Sequence, residues 1–277
     1  MRDRERHYHA IASAFDAKAK SEALVHERGL ESGALQECAS RWIEERIPSE
    51  GLVVELGCAH GAQTRRLLER GNSVIALDIS SEMIERAEAR SRGAGHRVGR
   101  GFHVAPAGAL SEVLTRVGVG PGELVGAIAL TGALNHEPEL YRVGACLRQH
   151  LAPGAGLRAA VDGRMSPWRW LQAPFTGRVE AALRRVVAGR GSLAPDDPSG
   201  AIEYFFPDEF SRALGPGFRT LEVTPMNWLA PPLDVRRPGV AGQLMAKALD
   251  EAERRFKVSG RAQWLGERFL IALERLR

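Results

Sequence analysis

Val53-Val54-Glu55-Leu56-Gly57-Cys58-Ala59-His60-Gly61 runs directly into the amphipathic stretch Ala62 to Arg70, and its reading decides the fold. Two β-branched residues lead into an acid, two glycines follow at close spacing, and a helical pattern begins. The order predicts a strand, a tight turn and a helix start. Glycine at 57 lets the turn adopt positive φ and lets a ligand approach the backbone. The first N–H groups of the new helix have no partner inside it and face whatever sits there. This is the layout of a nucleotide-type site at the carboxyl end of a parallel strand. The spacing is Glu-x-Gly-x-x-x-Gly. It is not the Gly-x-Gly-x-x-Gly that cradles a pyrophosphate, so a dinucleotide is disfavoured.

Outward from this stretch the chain alternates. Strands are predicted at Leu52–Leu56, Ser73–Leu77, Phe102–Ala105, Leu124–Leu130 and Leu157–Val161. Between them lie helices at Thr64–Glu69, Glu82–Arg90 (with Ser80 as N-cap), Ala109–Val117 and Pro138–Leu151. Strand–helix alternation means a parallel, doubly wound sheet. Right-handed crossovers then gather the strand-end loops on one edge. Past residue 161 the alternation stops. Residues 162–206 read as a cap insertion with a short helix, Val179–Val187, and a polar loop, Gly189–Gly200. Residues 207–277 complete the sheet with a helix opening at Phe206–Phe210 and ending at Gly215, and strands at Phe218–Thr224 and Arg268–Leu273. They hold a helical insertion, 225–262, with a helix at Val240–Phe256. Residues 1–50 read as a helical cover, with Leu35, Cys38, Ala39, Trp42 and Ile43 on one face. The expected fold is therefore α/β: a Rossmann-like, mostly parallel, seven-stranded sheet over 51–161 and the C-terminal strands, with an N-terminal helical cover and helical cap insertions.

Asp78 ends the second strand, about one strand and one helix beyond Gly57. A carboxylate there can accept both hydroxyls of a ribose. Together the two segments resemble the first two motifs of class I S-adenosylmethionine (SAM) dependent methyltransferases of the small-molecule type. The resemblance covers roughly 51–161. It implies that the loop formed by Glu55, Gly57, Cys58, Ala59 and Gly61 holds the methionine and ribose parts of SAM. It places Ile79 on the adenine, with Met83 near it, and puts Tyr8 and Phe15 of the cover over the cofactor. Many relatives carry an Asp where Pro106 stands here, so adenine contacts fall to the backbone around Ala107. Leu130 and Thr131, after the fourth strand, resemble the loop that takes the methionine ammonium. The implied cofactor is SAM and the implied product S-adenosylhomocysteine (SAH).

His136, just after that loop, is the candidate general base, with Asn135 orienting it or the acceptor. His26 and Glu203 are weaker alternatives. Met165, Trp168, Trp170, Phe175, Tyr204, Phe205, Phe206 and Trp228 come from the insertions and are expected to form an apolar, aromatic substrate pocket. Arg164 and Arg169 read as solvated. There is no Asp at 130 or 131 to hold Mg2+, and no Asn/Asp-Pro-Pro-Tyr/Phe tetrapeptide of the amino methyltransferases of DNA bases and protein glutamine. No metal is assigned.

Composition limits the remaining classes. Hydrophobic content is 44% and charged content 26%, as in ordinary globular domains. No run approaches the roughly 20 apolar residues of a membrane span. Met1–His7 leads into no apolar signal core, so a cytoplasmic protein with no membrane partner is expected. Cys38, Cys58 and Cys146 are scattered, which suits reduced thiols. The net charge is +4. The cations are almost all Arg, spread along the chain, which reads as compositional bias and disfavours nucleic acid. The expected function is metal-independent methyl transfer to an O or N atom of a small, partly aromatic or apolar metabolite. The alternatives are a catalytically inactive scaffold on the same fold, motivated by Pro106, and an RNA methyltransferase, motivated by pI alone. Sequence leaves the oligomeric state open, a homodimer included.

Overall fold

The computed structural model describes residues 2–20, 35–93, 101–194, 197–229, 248–249, 251–253, 255, 258 and 260–276. Two N-terminal helices, α1 (Arg2–Lys20) and α2 (Leu35–Glu44), precede the sheet. The core then alternates: β1 (Gly51–Leu56), α3 (Ala62–Glu69), β2 (Asn72–Asp78), α4 (Ser81–Ser91), β3 (Phe102–Val104), α5 (Leu110–Arg116), β4 (Leu124–Ala129), α6 (Leu140–His150) and β5 (Gly156–Asp162). Beyond it come α7 (Pro167–Thr176), α8 (Val179–Ala188), β6 (Arg190–Ala194), β7 (Asp197–Glu203), α9 (Pro207–Ala213), β8 (Phe218–Met226) and β9 (Arg268–Arg275).

The main sheet has seven strands in the order β3-β2-β1-β4-β5-β9-β8. Strands β1 to β5 pair in parallel, and β9 runs antiparallel between β5 and β8. The inner strands are buried on both faces, which is why they read as continuous apolar runs. Leu52, Val54 and Leu56 face α5, α6 and α9 through Leu114, Leu147 and Phe210. Val53 faces the other way, with Ile43 of α2, Leu67 of α3 and Ile84 of α4. Strand order reverses between β1 and β4. A crevice opens at such a switch point, outside the carboxyl ends of the two strands.

All seven expected strands of the main sheet are present. The cap differs from expectation. The stretch read as a polar loop, Gly189–Gly200, is mostly a two-stranded antiparallel sheet, with Arg190 opposite Glu203 and Ser192 opposite Ala201. Gly, Ser and Ala are poor strand formers, and strand propensity yields to context. Here β7 lies against α1 and against the 3-10 turn Ala133–His136, and this support comes from distant parts of the chain. Helix α7 was also not expected. Ser166 caps it by accepting from the Arg169 N–H, and Pro167 occupies its first turn. Most of the expected helix Val240–Phe256 falls outside the described residues, as does His26.

Candidate active site

Three loops meet at the switch point. Gly57 follows β1 with φ +73°. A Cβ there would lie 2.3 Å from the Ala133 Cβ and 2.7 Å from Thr131 Oγ1. Only a residue without a side chain lets the β1 and β4 loops approach this closely. Thr131 Oγ1 donates to the Gly57 carbonyl at 2.8 Å and ties the two loops together. The Gly57 and Cys58 amides both donate to the Leu77 carbonyl, at 2.7 and 2.9 Å, which holds the turn against β2.

Asp78 ends β2 and is 8% exposed. Its Oδ2 accepts from the Ala59 N–H at 2.8 Å and its Oδ1 from the Ser80 N–H at 3.0 Å. Burial pushes its pKa up, against the Ser80 and Ala59 amides. A carboxylate offers about four acceptor positions. Each oxygen therefore keeps one position for a ribose hydroxyl, so the acid fits the diol of SAM. Glu55 is fully buried, with the Thr64 hydroxyl donating to it at 2.5 Å, and burial raises its pKa to about 8. It is a neutral carboxylic acid in the ordinary pH range. Cys58 is buried, and burial raises its thiol pKa as well. Met83 is buried, whereas Ile79 is half-buried beside Asp78. At the adenine end Pro106 opens a 3-10 turn, Ala107–Ala109, and provides no carboxylate. The Gly108 N–H that follows Ala107 donates to Glu137 Oε2 at 2.7 Å.

Helix α1 crosses this edge. At one end Asp16 Oδ1 accepts from Ser80 Oγ at 2.5 Å. At the other, Tyr8 donates to Glu137 Oε1 at 2.7 Å, and His7 Nε2 lies 2.8 Å from the His136 carbonyl oxygen. Burial and then the Glu137 bond push the Tyr8 pKa up, so the phenol stays a donor. Phe15 meets the His136 ring edge to face, with centroids 5.5 Å apart. Tyr8 and Phe15 thus reach the residues around the edge from above. Asp16 and Glu137 were not singled out from sequence. Glu137 is 3% exposed and also accepts from the Glu139 N–H at 3.0 Å. A Cβ on Gly108 would sit within 2.9 Å of both Glu137 carboxylate oxygens and 2.6 Å from the Tyr8 hydroxyl, so a side chain here would displace the Tyr8–Glu137 pair. An acid next to His136 was the available signal, but its partners lie on two distant segments.

The His136 ring is enclosed by α1 and β7. Burial lowers its pKa to about 4, against the nearby Asp162 carboxylate and a hydrogen bond to the Ala201 backbone, which both raise it. The imidazole is therefore neutral near pH 7. Its Nδ1 has no hydrogen-bond partner. Asn135 is 1% exposed and saturated by the backbone. Its amide donates to the Asp162 and Glu203 carbonyls at 3.1 and 2.6 Å, and its oxygen accepts from the Asp162 N–H at 2.9 Å. Asn135 therefore clamps the β4 loop to β5 and β7. Asp162 lies beside Gly132, and its Oδ1 accepts from Arg268 Nε at 2.5 Å.

The cap residues separate. Met165, Tyr204 and Phe206 flank the end of β5, where Gly163 and Phe205 are bridged. The Trp168 and Trp170 indole N–H groups are buried without a partner. Trp228 is half-buried beyond β8. Phe205 is not a pocket wall: it packs on Phe210 in the core beneath the sheet edge. Phe175 is 87% exposed and points away from any pocket. Arg164 and Arg169 are fasteners, contrary to their reading as solvated. Arg164 pairs with Glu209 at 3.0 Å and Arg169 with Glu267 at 3.3 Å. Arg185, which the sequence did not single out, is buried against Glu267 at 3.0 Å and donates to the Gly163 carbonyl. Burial pushes the Glu267 pKa up, but Arg185 and Arg169 outweigh it and hold it at about 2. Among the described residues no group of three or more His, Cys, Asp or Glu side chains could hold a metal ion.

Residues 53–154 match the family model described as a methyltransferase domain. The putative methyltransferase YqeM of Bacillus subtilis (strain 168) is 37% identical over 49 residues, 18% of this chain. That match spans one fifth of the relative's own length. An S-adenosylmethionine dependent methyltransferase from Mesorhizobium loti shares the fold at a TM-score of 0.55 and 19% identity, over 88% of this chain and 99% of its own. The geranyl diphosphate C-methyltransferase of Streptomyces coelicolor A3(2) does so at 0.53 and 13%, over 87% and 80%.

Proposed function

We propose that this chain, whose residues 53–154 match a methyltransferase domain, is a class I SAM-dependent methyltransferase that methylates an O or N atom of a small, partly aromatic or apolar metabolite. The observation that carries this reading is the convergence of Gly57, Asp78, Thr131 and His136 on one sheet edge beneath α1. In this reading Asp78 accepts the ribose hydroxyls, and the backbone of Gly57–Gly61 and of Leu130 lines the methionine arm. Bound there, SAM supplies a methyl group already activated by its sulfonium. Alignment alone then provides much of the acceleration, and no metal is given a role.

His136 holds the acceptor. Its neutral Nδ1 is buried and unpartnered under α1 and β7, so in this reading α1 or β7 shifts to admit the acceptor O–H or N–H, which then donates to Nδ1 and passes it the proton as methylation makes that group acidic. Ala201 and Phe15 fix the ring, and Asn135 positions the loop without touching the acceptor. Met165, Tyr204, Phe206 and the two tryptophans of α7 form the apolar side. The buried indole N–H groups suit an acceptor carrying at least one oxygen.

The test is incubation with methyl-labelled SAM and fractionated metabolite extract, with the labelled product identified by mass. Label in a small aromatic or apolar compound is expected. His136→Ala should lower kcat by about 100-fold with SAM affinity unchanged, the usual worth of a positioned base. Label found only in RNA or protein, or full kcat in His136→Ala, contradicts the reading.

A further inference from the structure

Large apolar side chains are exposed at eleven places among the described residues. Some are scattered singly, such as Val104, Leu221 and Leu276, as on any surface. Five fall on the α7–α8 hairpin: Leu171 (61%), Phe175 (87%), Val179 (42%), Leu183 (45%) and Val187 (76%). Their spacing is four residues throughout. Leu171 and Phe175 therefore form a row on α7, and Val179, Leu183 and Val187 a row on α8. Phe175 and Val179 flank the turn at Gly177. Trp264 and Leu265 are also over a third exposed and adjoin the start of α7, because Leu265 is bridged to Met165. The inward sides are already committed: Ala173 and Ala182 are buried, and Arg185 is held on Glu267. The outward rows are thus surplus to the fold.

Charge identifies what they face. The chain has 38 basic and 34 acidic residues. Five arginines and one glutamate lie in residues 167–190, which leaves the rest of the chain balanced. Two of these arginines are matched by Glu267 from outside the segment, so its surface carries a smaller positive excess, from Arg178, Arg184 and Arg190 against Glu180. Arg169 and Arg185 turn inward to Glu267, while Arg178, Arg184 and Arg190 are exposed, with Arg184 paired to Glu180. Exposed aliphatic and aromatic rows fringed by arginine suit an anionic bilayer surface, where the apolar side chains enter the headgroup boundary and the guanidinium groups meet lipid phosphates. No helix among the described residues is long and apolar enough to cross a membrane, so the contact is peripheral.

We infer that the α7–α8 hairpin docks this protein on anionic phospholipid membranes. Arg185 and Arg169 anchor the hairpin at the end of β5, so docking would hold the cap side of the site toward the bilayer. The inference is independent of the methyl-transfer reading and does not need SAM.

The test is flotation of the full chain with vesicles of phosphatidylcholine alone and of phosphatidylcholine with phosphatidylglycerol. The wild type should float with the anionic vesicles and much less with the neutral ones, and 0.5 M salt should weaken binding. The double variant Phe175→Ser, Val187→Ser should lose at least about tenfold in partitioning. Both positions are exposed, so its melting temperature should be unchanged. Separately, Arg178→Gln with Arg190→Gln should reduce anionic binding and leave the neutral background. Failure of the wild type to bind anionic vesicles, or undiminished binding by the serine variant, overturns the proposal. So does a dimer seen by light scattering that the serine variant abolishes while neither protein binds vesicles; the patch would then join two copies of the chain.

Discussion

The two walls of the site are built differently. On the proposed cofactor side, Gly57, Ala59 and Asp78 are positioned by backbone amides within one strand–turn–helix and its neighbour. On the proposed acceptor side, the cap is fastened by side chains: Glu267 to Arg169 and Arg185, Glu209 to Arg164, Arg268 to Asp162. Backbone positioning tolerates change in most side chains of the cradle. Side-chain fastening depends on particular residues, so the acceptor wall can be rebuilt while the cradle stays. Helix α1 touches both walls, through Asp16 at Ser80 beside Asp78 and Tyr8 at the loop of His136.

The largest expected effect separates the walls. Glu267→Ala leaves Arg185 buried without its carboxylate, a loss of about 3–5 kcal/mol. Thermal melting should show that loss. If the walls are independent, calorimetry should still find SAM affinity within a few-fold of wild type while turnover disappears. Equal loss of both would mean that the cap also holds the cradle.

Gly57→Val attacks the other wall. The positive φ and the overlap with Ala133 should cost about 2–3 kcal/mol and remove SAM binding, since the β1 and β4 loops must part. Limited proteolysis of the α7–α8 hairpin should be unchanged in this variant, and faster cleavage there would tie the two walls together.

The third effect depends on pH. The folded state binds a proton on His136 only near pH 4, whereas the unfolded chain does so near the ordinary value of 6.5. Stability from this residue is therefore complete above pH 6.5 and falls as pH drops toward 4, by about 3 kcal/mol at most. Glu55 acts in the opposite sense. It is protonated in the fold up to about pH 8 and unfolded only to about 4.5, so its contribution is lost as pH rises through that window. Melting curves of wild type and His136→Gln, compared between pH 4 and 7, isolate the histidine. A difference that does not change with pH would place the ring in solvent. The smallest effect is expected for Tyr8→Phe, about 1 kcal/mol for a lost hydrogen bond to a buried carboxylate, with a raised KM for SAM if α1 covers the cradle.

The same contrast explains what could be read from the chain. The strands of the sheet and the Gly57 turn carry their signals locally, as apolar runs and glycine spacing, and they were legible. The place of Asp78 at the end of β2 was legible because a carboxylate closes the apolar run there. The hairpin β6–β7 was not, because its residues have little strand propensity and its support comes from α1. Phe205 and Phe175 look alike in composition, yet one is core and the other surface. Only the path of the chain after Asp162 distinguishes them. Asp16 and Glu137 were missed for a related reason: each acts through a partner more than 25 residues away.

Asp78 is where the cofactor assignment rests, so calorimetry of SAM and SAH with wild type and Asp78→Ala tests it most directly, with melting curves as the control for folding. Heat with both ligands in the wild type is expected, and a weakening of about 100-fold in the variant, equivalent to about 2.7 kcal/mol for two lost ribose hydrogen bonds. Unimpaired SAM binding by a folded Asp78→Ala protein, or no heat with either ligand in the wild type, contradicts the assignment.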